Sequence, residues 1–343
     1  MLDAYKLKNV YIHKLNFHDS ILKILPVPCK SVWLPVLPHR KIIKEINPDI
    51  VHGHNIIGYG LSTMFSGDYP KVISLWGGDV TLEPKELIIY KLVVKTVFKG
   101  VNMIHSFADN LTDESILLGV DKNKIVTITP AVDTKNFNLN VDGSEIRKLL
   151  CWESNPIVIS TRNIGQGYNI ECLIKSIPLV IKEIPDVKFI IKMGHVLFKD
   201  DEKKLKNMVK KLGISNSVKF IDYVKYEELP KYLACADVYV STSLFDGLGI
   251  SNIEALACGT PAVLADIDST RNLIKKGLHA HLYLPKDSNA LAKEIVASIK
   301  NREKDNKEIH KENFRIIKEH YDFDKNIEKI EQLYKDLIDK YKK

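Results

Sequence analysis

The sequence predicts an α/β protein made of two Rossmann-like halves that face each other across a cleft. Short β-branched runs alternate with stretches of helical period from about residue 49 to residue 300, the pattern of a parallel sheet covered on both faces. The alternation is interrupted at 130–140 (PAVDTKNFNLN), a stretch without periodicity that reads as a linker. The 343 residues are also enough for about two domains, each with its own core.

In the first half the order is a strand at 9–15 (NVYIHKL), a proline-punctuated stretch at 25–38 without regular assignment, and a helix at 39–46. A short buried strand at 49–52 (DIVH) follows, then a helical stretch to about Phe65, with Gly53, Gly58 and Gly60 read as turn and packing chemistry. A strand at 71–76 ends on Gly77-Gly78-Asp79; a long helix at 84–99, a strand at 101–106, a helix at 109–118 and a strand at 124–129 complete this half. The second half reads strand 157–161, helix 168–183, strand 188–193, helix 201–212, strand 218–222, helix 227–234 and strand 238–241. The last of these runs into a turn with Gly247 and Gly249, a helix opening near Ser251, and then Gly259, Pro261 and another apolar run. Helix 270–276, strand 281–284 and helix 289–300 close the series. The expected divisions are 1–130, a linker at 131–155, 156–302, and charged helices at 303–343. In the tail, Ile327, Ile330, Leu333 and Leu337 form an apolar stripe that must pack on something.

Hydrophobic content of 45% and charged content of 27% are those of an ordinary globular chain. The net charge of +7 favours anionic partners, a nucleotide diphosphate or an anionic membrane surface, while no nucleic-acid-binding module is present. Five scattered cysteines without a C-x-x-C pair point to free thiols in a reducing compartment. No apolar run reaches about 18 residues and MLDAYKLKNV has no signal-peptide core, so the expected location is the cytoplasm.

Chemistry concentrates at 246–254. Gly247 and Gly249 let backbone amides approach a ligand, and the following helix N-terminus adds free N–H groups and partial positive charge, which together suit a phosphate. Asp246 sits at the mouth of this loop and Glu254 about one turn inside the helix, so one carboxylate can face a reacting group while the other accepts ribose hydroxyls. Arg162, after strand 157–161, brings a guanidinium suited to a bidentate grip on phosphate. His52 and His54 form an H-x-H pair, but without a third ligand in view no metal is expected. Lys91, Lys95 and Lys99 make a stripe on helix 84–99, either a solvated face or a contact for anionic lipid.

The pattern D-G-x-G-x-x-x-x-E-A-L-A-C-G-T-P-A-V at 246–263 resembles the E-x7-E signature of retaining, nucleotide-sugar-dependent glycosyltransferases of the GT-B fold, family 4, with Asp246 in place of the commoner Glu. The resemblance covers roughly 46–300. It implies a UDP- or GDP-sugar donor, a saccharide or lipid-linked acceptor, and neither a prosthetic group nor a metal. By the same resemblance Asp246 holds the donor sugar, Glu254 the ribose, and Arg162 with the loop of Gly247, Leu248 and Gly249 the diphosphate. Tyr168 stands where the family has a lysine and offers a hydroxyl instead of a charge. Gly194 and His195 fall on a turn near the diphosphate, and Tyr223 and Val224 beside the base. On the acceptor side Gly77-Gly78-Asp79 matches an H-G-x-D turn with Trp76 replacing the histidine, and His52 and His54 are nearby candidates. Asn272 takes the place of an acid after Arg271, and Ala131 the place of a glycine in the interdomain segment. A C-terminal helix crossing back to the first domain is a family feature that the tail could share.

Family members begin with a strand, a Gly-rich turn, a helix and a second strand, whereas this chain starts near the third strand. Without the central strands a doubly wound sheet has unpaired edges. The expectation is therefore a reading frame that starts too late, a partner chain that completes the sheet, or a degenerate paralogue. Two functions follow: a retaining hexosyltransferase of polysaccharide or glycolipid biosynthesis, cytoplasmic or peripheral on the inner membrane face, or a non-catalytic truncated GT-B paralogue that binds nucleotide or scaffolds a complete enzyme. Trp76 and Tyr168 favour the second, the intact D-x7-E loop the first. A GT-B nucleotide-sugar epimerase would need acid and histidine pairs that the sequence does not place.

Overall fold

The computed structural model describes residues 36–193, 199–301 and 303–342. The strand expected at 9–15 and the turn at Gly194 and His195 lie outside them.

In the first half, β1 (Val51–His54), β2 (Lys71–Leu75), β3 (Met103–Ser106) and β4 (Ile125–Thr127) form a parallel sheet in that order. Among the described residues no strand pairs with the outer edge of β1. The register sets His54 opposite Ser74 and Ser74 opposite His105, so polar side chains from three strands align at the carboxyl end of the sheet. The strand expected at 49–52 is shifted two residues on, which brings both His52 and His54 into β1. Helix α1 (Val36–Ile46) precedes the sheet. Instead of one helix at 84–99 there is a single turn, Glu83–Glu86, and then α2 (Ile88–Gly100), separated by Leu87 in extended conformation. The buried positions Val93, Val94, Val97 and Phe98 give α2 its core face, while in the preceding turn Pro84 is buried. Helix α3 (Asp109–Leu117) follows β3.

In the second half β5 (Ile157–Ser160), β6 (Lys188–Lys192), β7 (Val218–Ile221), β8 (Val238–Ser241), β9 (Ala262–Ala265) and β10 (His281–Tyr283) are all parallel, in the order β10-β9-β8-β5-β6-β7. β5, β8 and β9 are buried at every position, as a sheet covered on both faces requires. The winding reverses between β5 and β8, and the crevice at the carboxyl ends of these neighbours is where a doubly wound sheet takes its ligand. The stretch expected to be linker contains helix α4 (Ser144–Leu150). Arg147 anchors it, donating to the Cys235 carbonyl (2.8 Å), the Asn155 carbonyl (2.9 Å) and the Asp237 carboxylate (2.7 Å). Helices α5 (Ile170–Glu183), α6 (Lys199–Lys211), α7 (Leu229–Cys235), α8 (Ile250–Ala257), α9 (Asp268–Lys275) and α10 (Ser288–Lys300) complete the layers.

The chain crosses between the halves twice, and the crossings bond to each other. The amides of Ala131 and Val132 donate to the Tyr321 carbonyl (3.2 and 3.0 Å), and the Phe323 amide donates to the Val132 carbonyl (2.8 Å). After α11 (Lys307–His320), the long α12 (Phe323–Lys342) lies against the first half, where Tyr334 bonds His52 and Lys342 reaches Asp49 at 3.3 Å.

Candidate active site

A cavity of about 710 Å³ opens between the two halves, walled by the carboxyl ends of both sheets and by α12. On the second-half side Arg162 follows β5 and is 8% exposed. Its Nε donates to Ser243 Oγ (3.1 Å), Nη1 to Ser251 Oγ (2.7 Å) and Nη2 to Asp246 Oδ2 (2.5 Å), and its guanidinium lies 5.0 Å from the centre of the Tyr168 ring. Tyr168 therefore brings no second cation to this end of the cavity and instead holds the existing one by its ring face. Burial pushes the Asp246 carboxyl up, and the Arg162 guanidinium with the amides of Gly247 and Gly249 works against that shift. Gly249 has φ +75°, a left-handed turn that closes the loop onto α8. Glu254 is 6% exposed, and burial pushes its carboxyl up to about 7 against the pull of Lys192 and Arg162.

Gly247 touches the first half directly. A Cβ there would stand 2.9 Å from the Trp76 carbonyl oxygen, and one on Gly77 would stand 3.2 Å from Gly247 Cα. The two glycine turns singled out in the sequence thus meet backbone to backbone across the cleft. Leu248, next in the loop, packs against the cores of both halves.

The first-half wall is built on histidines. His105 Nε2 lies 2.9 Å from the Ile128 carbonyl, which can only accept, so this nitrogen carries the proton and Nδ1 accepts from Ser74 Oγ at 2.9 Å. Ser74 in turn accepts from His52 Nε2 (2.7 Å), leaving His52 Nδ1 to accept from the Tyr334 hydroxyl. The chain of donors is complete with both rings neutral. Burial and the neighbouring His54 and His105 bring His52 down to about 3, and burial lowers His54 and His105 as well. His54 is exposed, stacks on His52 at 4.3 Å and stands 5.9 Å from Trp76, whose ring in turn meets Phe107 at 5.1 Å.

Of the residues singled out in the sequence, Arg162, Tyr168, Asp246, Gly247, Leu248, Gly249 and Glu254 converge with His52, His54 and Trp76 on this cavity. Asp79 does not face it. Its buried carboxylate accepts from the amides of Ile56 (3.1 Å), Trp76 (3.1 Å) and Gly77 (2.8 Å), so it shapes the turn instead of meeting a substrate. Tyr223 and Val224 follow β7, two strands from β5, and lie outside the lining. Ser243, Ser251, Ser74, His105 and Tyr334 had no mark in the sequence; for Ser251, its position at the opening of the helix after the Gly turn was the available signal. Among the described residues no three His, Cys, Asp or Glu side chains are grouped to hold a metal ion, and no helix is long and apolar enough to cross a membrane.

The family described as glycosyl transferases group 1 matches residues 143–316, more than half of the chain and all of the donor-side loop. The chain belongs to this family. A second family, glycosyl transferase 4-like, matches residues 10–107. Curated relatives include mannosylfructose-phosphate synthase of Agrobacterium fabrum, 24% identical over 76% of this chain and 57% of the relative. A GDP-mannose-dependent monoacylated phosphatidylinositol monomannoside mannosyltransferase of Corynebacterium glutamicum is 26% identical over 46% of this chain and 39% of its own length. This group 1 chain thus spans less than two thirds of either relative. Among solved structures, Anabaena HepE in complex with UDP superposes with a TM-score of 0.76 at 20% identity, over 87% of this chain and 82% of that one. Sucrose-phosphate synthase of Thermosynechococcus elongatus gives 0.77 at 17% identity, over 91% and 80%. The group 1 chain therefore has the GT-B fold, two Rossmann-like α/β domains about one cleft.

Proposed function

We propose that the chain is a retaining hexosyltransferase that moves a sugar from a UDP- or GDP-sugar to a saccharide or lipid-linked acceptor. One observation carries the reading: Arg162 is buried and held by three side chains at the switch point of the second sheet, beside the Gly247–Gly249 turn and between Asp246 and Glu254. A diphosphate in this crevice meets the guanidinium and the N-terminus of α8, which stabilise the charge that grows on the leaving phosphate as the anomeric C–O bond breaks. Asp246 faces the donor sugar, and Glu254, once ionised, accepts from the ribose hydroxyls. The positive charge comes from the protein, so no metal is needed. Both bases remain in the proposal, because the Anabaena structure holds UDP and the Corynebacterium relative is named for GDP-mannose. Lys91, Lys95 and Lys99, exposed on α2 beside exposed Ile88 and Leu92, would give such an enzyme a peripheral footing on anionic lipid.

Titration calorimetry of UDP and GDP in EDTA, on the native chain and on Glu254→Ala, tests the donor site. Binding of one nucleotide that is lost in the variant is the expected result, and proton NMR of the product's anomeric centre then reads retention. Binding of neither nucleotide overturns the transferase reading. Binding without turnover favours the nucleotide-binding scaffold, to which the lack of a cation at Tyr168 also points.

A further inference from the structure

The two walls of the cavity differ in charge. Every charged side chain among its described lining residues, Arg162, Asp246 and Glu254, belongs to the donor wall. The facing wall, from the first half and α12, has no Asp, Glu, Lys or Arg among those residues. Its buried histidines are neutral, since the hydrogen-bond chain from Tyr334 to Ile128 uses the neutral tautomers of His52 and His105, and burial lowers His54 as well. A phosphate or carboxylate brought against this wall would lose water and find no counter-charge among its described residues.

The wall offers flat apolar surface instead. Trp76 is 54% exposed, is braced edge-on by Phe107, and stands beside the donor loop, with its carbonyl against Gly247. From the other side α12 presents Phe323, Ile327 and Ile330 at helical spacing, so the stripe noticed in the sequence in part faces the cavity. Aromatic faces left open in a cleft take the C–H face of a ring or an apolar chain.

We propose that the acceptor is an uncharged glycoside whose apolar aglycone, aryl or alkyl, lies between Trp76 and the α12 wall. This rests on the transferase reading and specifies its acceptor. In the transfer the donor's anomeric C–O(phosphate) bond breaks, the acceptor hydroxyl oxygen bonds the anomeric carbon, and the hydroxyl proton leaves with the nucleoside diphosphate.

The test is calorimetry of p-nitrophenyl glucoside, n-octyl glucoside, glucose and glucose 6-phosphate, each with and without UDP or GDP. The expected result is that at least one apolar glycoside binds about tenfold or more tighter than glucose and that glucose 6-phosphate binds no tighter than glucose. Trp76→Ala should abolish the gain and Trp76→Phe should keep most of it, with nucleotide binding unchanged in both. No gain for either apolar glycoside over glucose, tighter binding of glucose 6-phosphate than glucose, or an apolar gain that survives Trp76→Ala overturns the proposal. The titrations without nucleotide read the acceptor wall alone, so failure of the donor site would leave their outcome decisive.

Discussion

Arg162 spends each of its donor groups on a different partner, and that division explains why this position needs arginine. A lysine would keep the charge, but one ammonium on a flexible stem cannot hold Ser243, Ser251 and Asp246 together or lie flat on Tyr168. Arg162→Lys should weaken UDP or GDP by about one to two orders of magnitude, the scale of one hydrogen bond to a charged group, and leave the bare nucleoside nearly unaffected. Equal losses for nucleoside and nucleotide would contradict a phosphate role. Glu254 adds a pH dependence. Its pKa rises from 4.5 in the unfolded chain to about 7 in the folded one, so the folded state holds the extra proton between these values and stability falls as pH rises through that window. Denaturant unfolding of Glu254→Gln should show a gain of up to about 3 kcal/mol at pH 8 and almost none at pH 4. If ribose hydroxyls donate to Glu254 as proposed, they favour the carboxylate, and nucleotide binding at pH 7 should release roughly half a proton more from the native chain than from the variant, read by calorimetry in buffers of different ionisation enthalpy. Asp246, Glu254 and Arg162 were legible because a glycine turn and a strand end mark their places. The link from Tyr334 to His52 was not, because 282 residues separate them and no local pattern announces such a bond.

The strands of the second half were legible nearly to the residue, since a buried parallel strand is a short apolar run with sharp ends: the expected 238–241 is Val238–Ser241. Elements whose limits depend on a tertiary partner were harder to read. Helix α4 is short and its anchor is Arg147 reaching Asp237, 90 residues on; the break at Leu87 lies in an exposed to half-buried stretch between buried Pro84 and buried Val93. The loop between β8 and α8 shows an element shaped by what it meets. Gly247 does not need an unusual φ, so alanine fits its backbone, but the added methyl would meet the Trp76 carbonyl of the other half at 2.9 Å. Gly247→Ala should therefore leave each half folded, lower the thermal unfolding midpoint by no more than the loss of the interdomain contact, and lose tenfold or more in kcat as the halves are wedged apart, on the scale of a small misplacement of the reacting groups. Native turnover in this variant would show that the glycine contact is not needed for closure.

At the scale of the molecule, the two domains are joined by two bonded crossings and meet across the cleft through contacts of unequal weight. Lys276 pairs with Asp109 at 2.8 Å, but both side chains are nearly half exposed, and such a pair contributes at most about 1 kcal/mol and is screened by salt. Leu248 packs against both cores, and removing its side chain costs apolar burial on both at once. Its half-buried state limits that loss to about 1–2 kcal/mol, below the full cost of a buried leucine, yet still above the ion pair. Closure should therefore be apolar in character. Leu248→Ala should enlarge the radius of gyration in small-angle scattering and raise the rate of proteolysis at the 131–140 crossing, while Lys276→Ala should do neither at 150 mM salt, roughly physiological ionic strength. If Lys276→Ala opened the molecule and Leu248→Ala did not, the domains would be held by charge, and closure would then weaken with ionic strength. Under the apolar account, ionic strength shifts the open and closed populations by no more than the screening of one exposed pair, so scattering at low and high ionic strength separates the two without a variant.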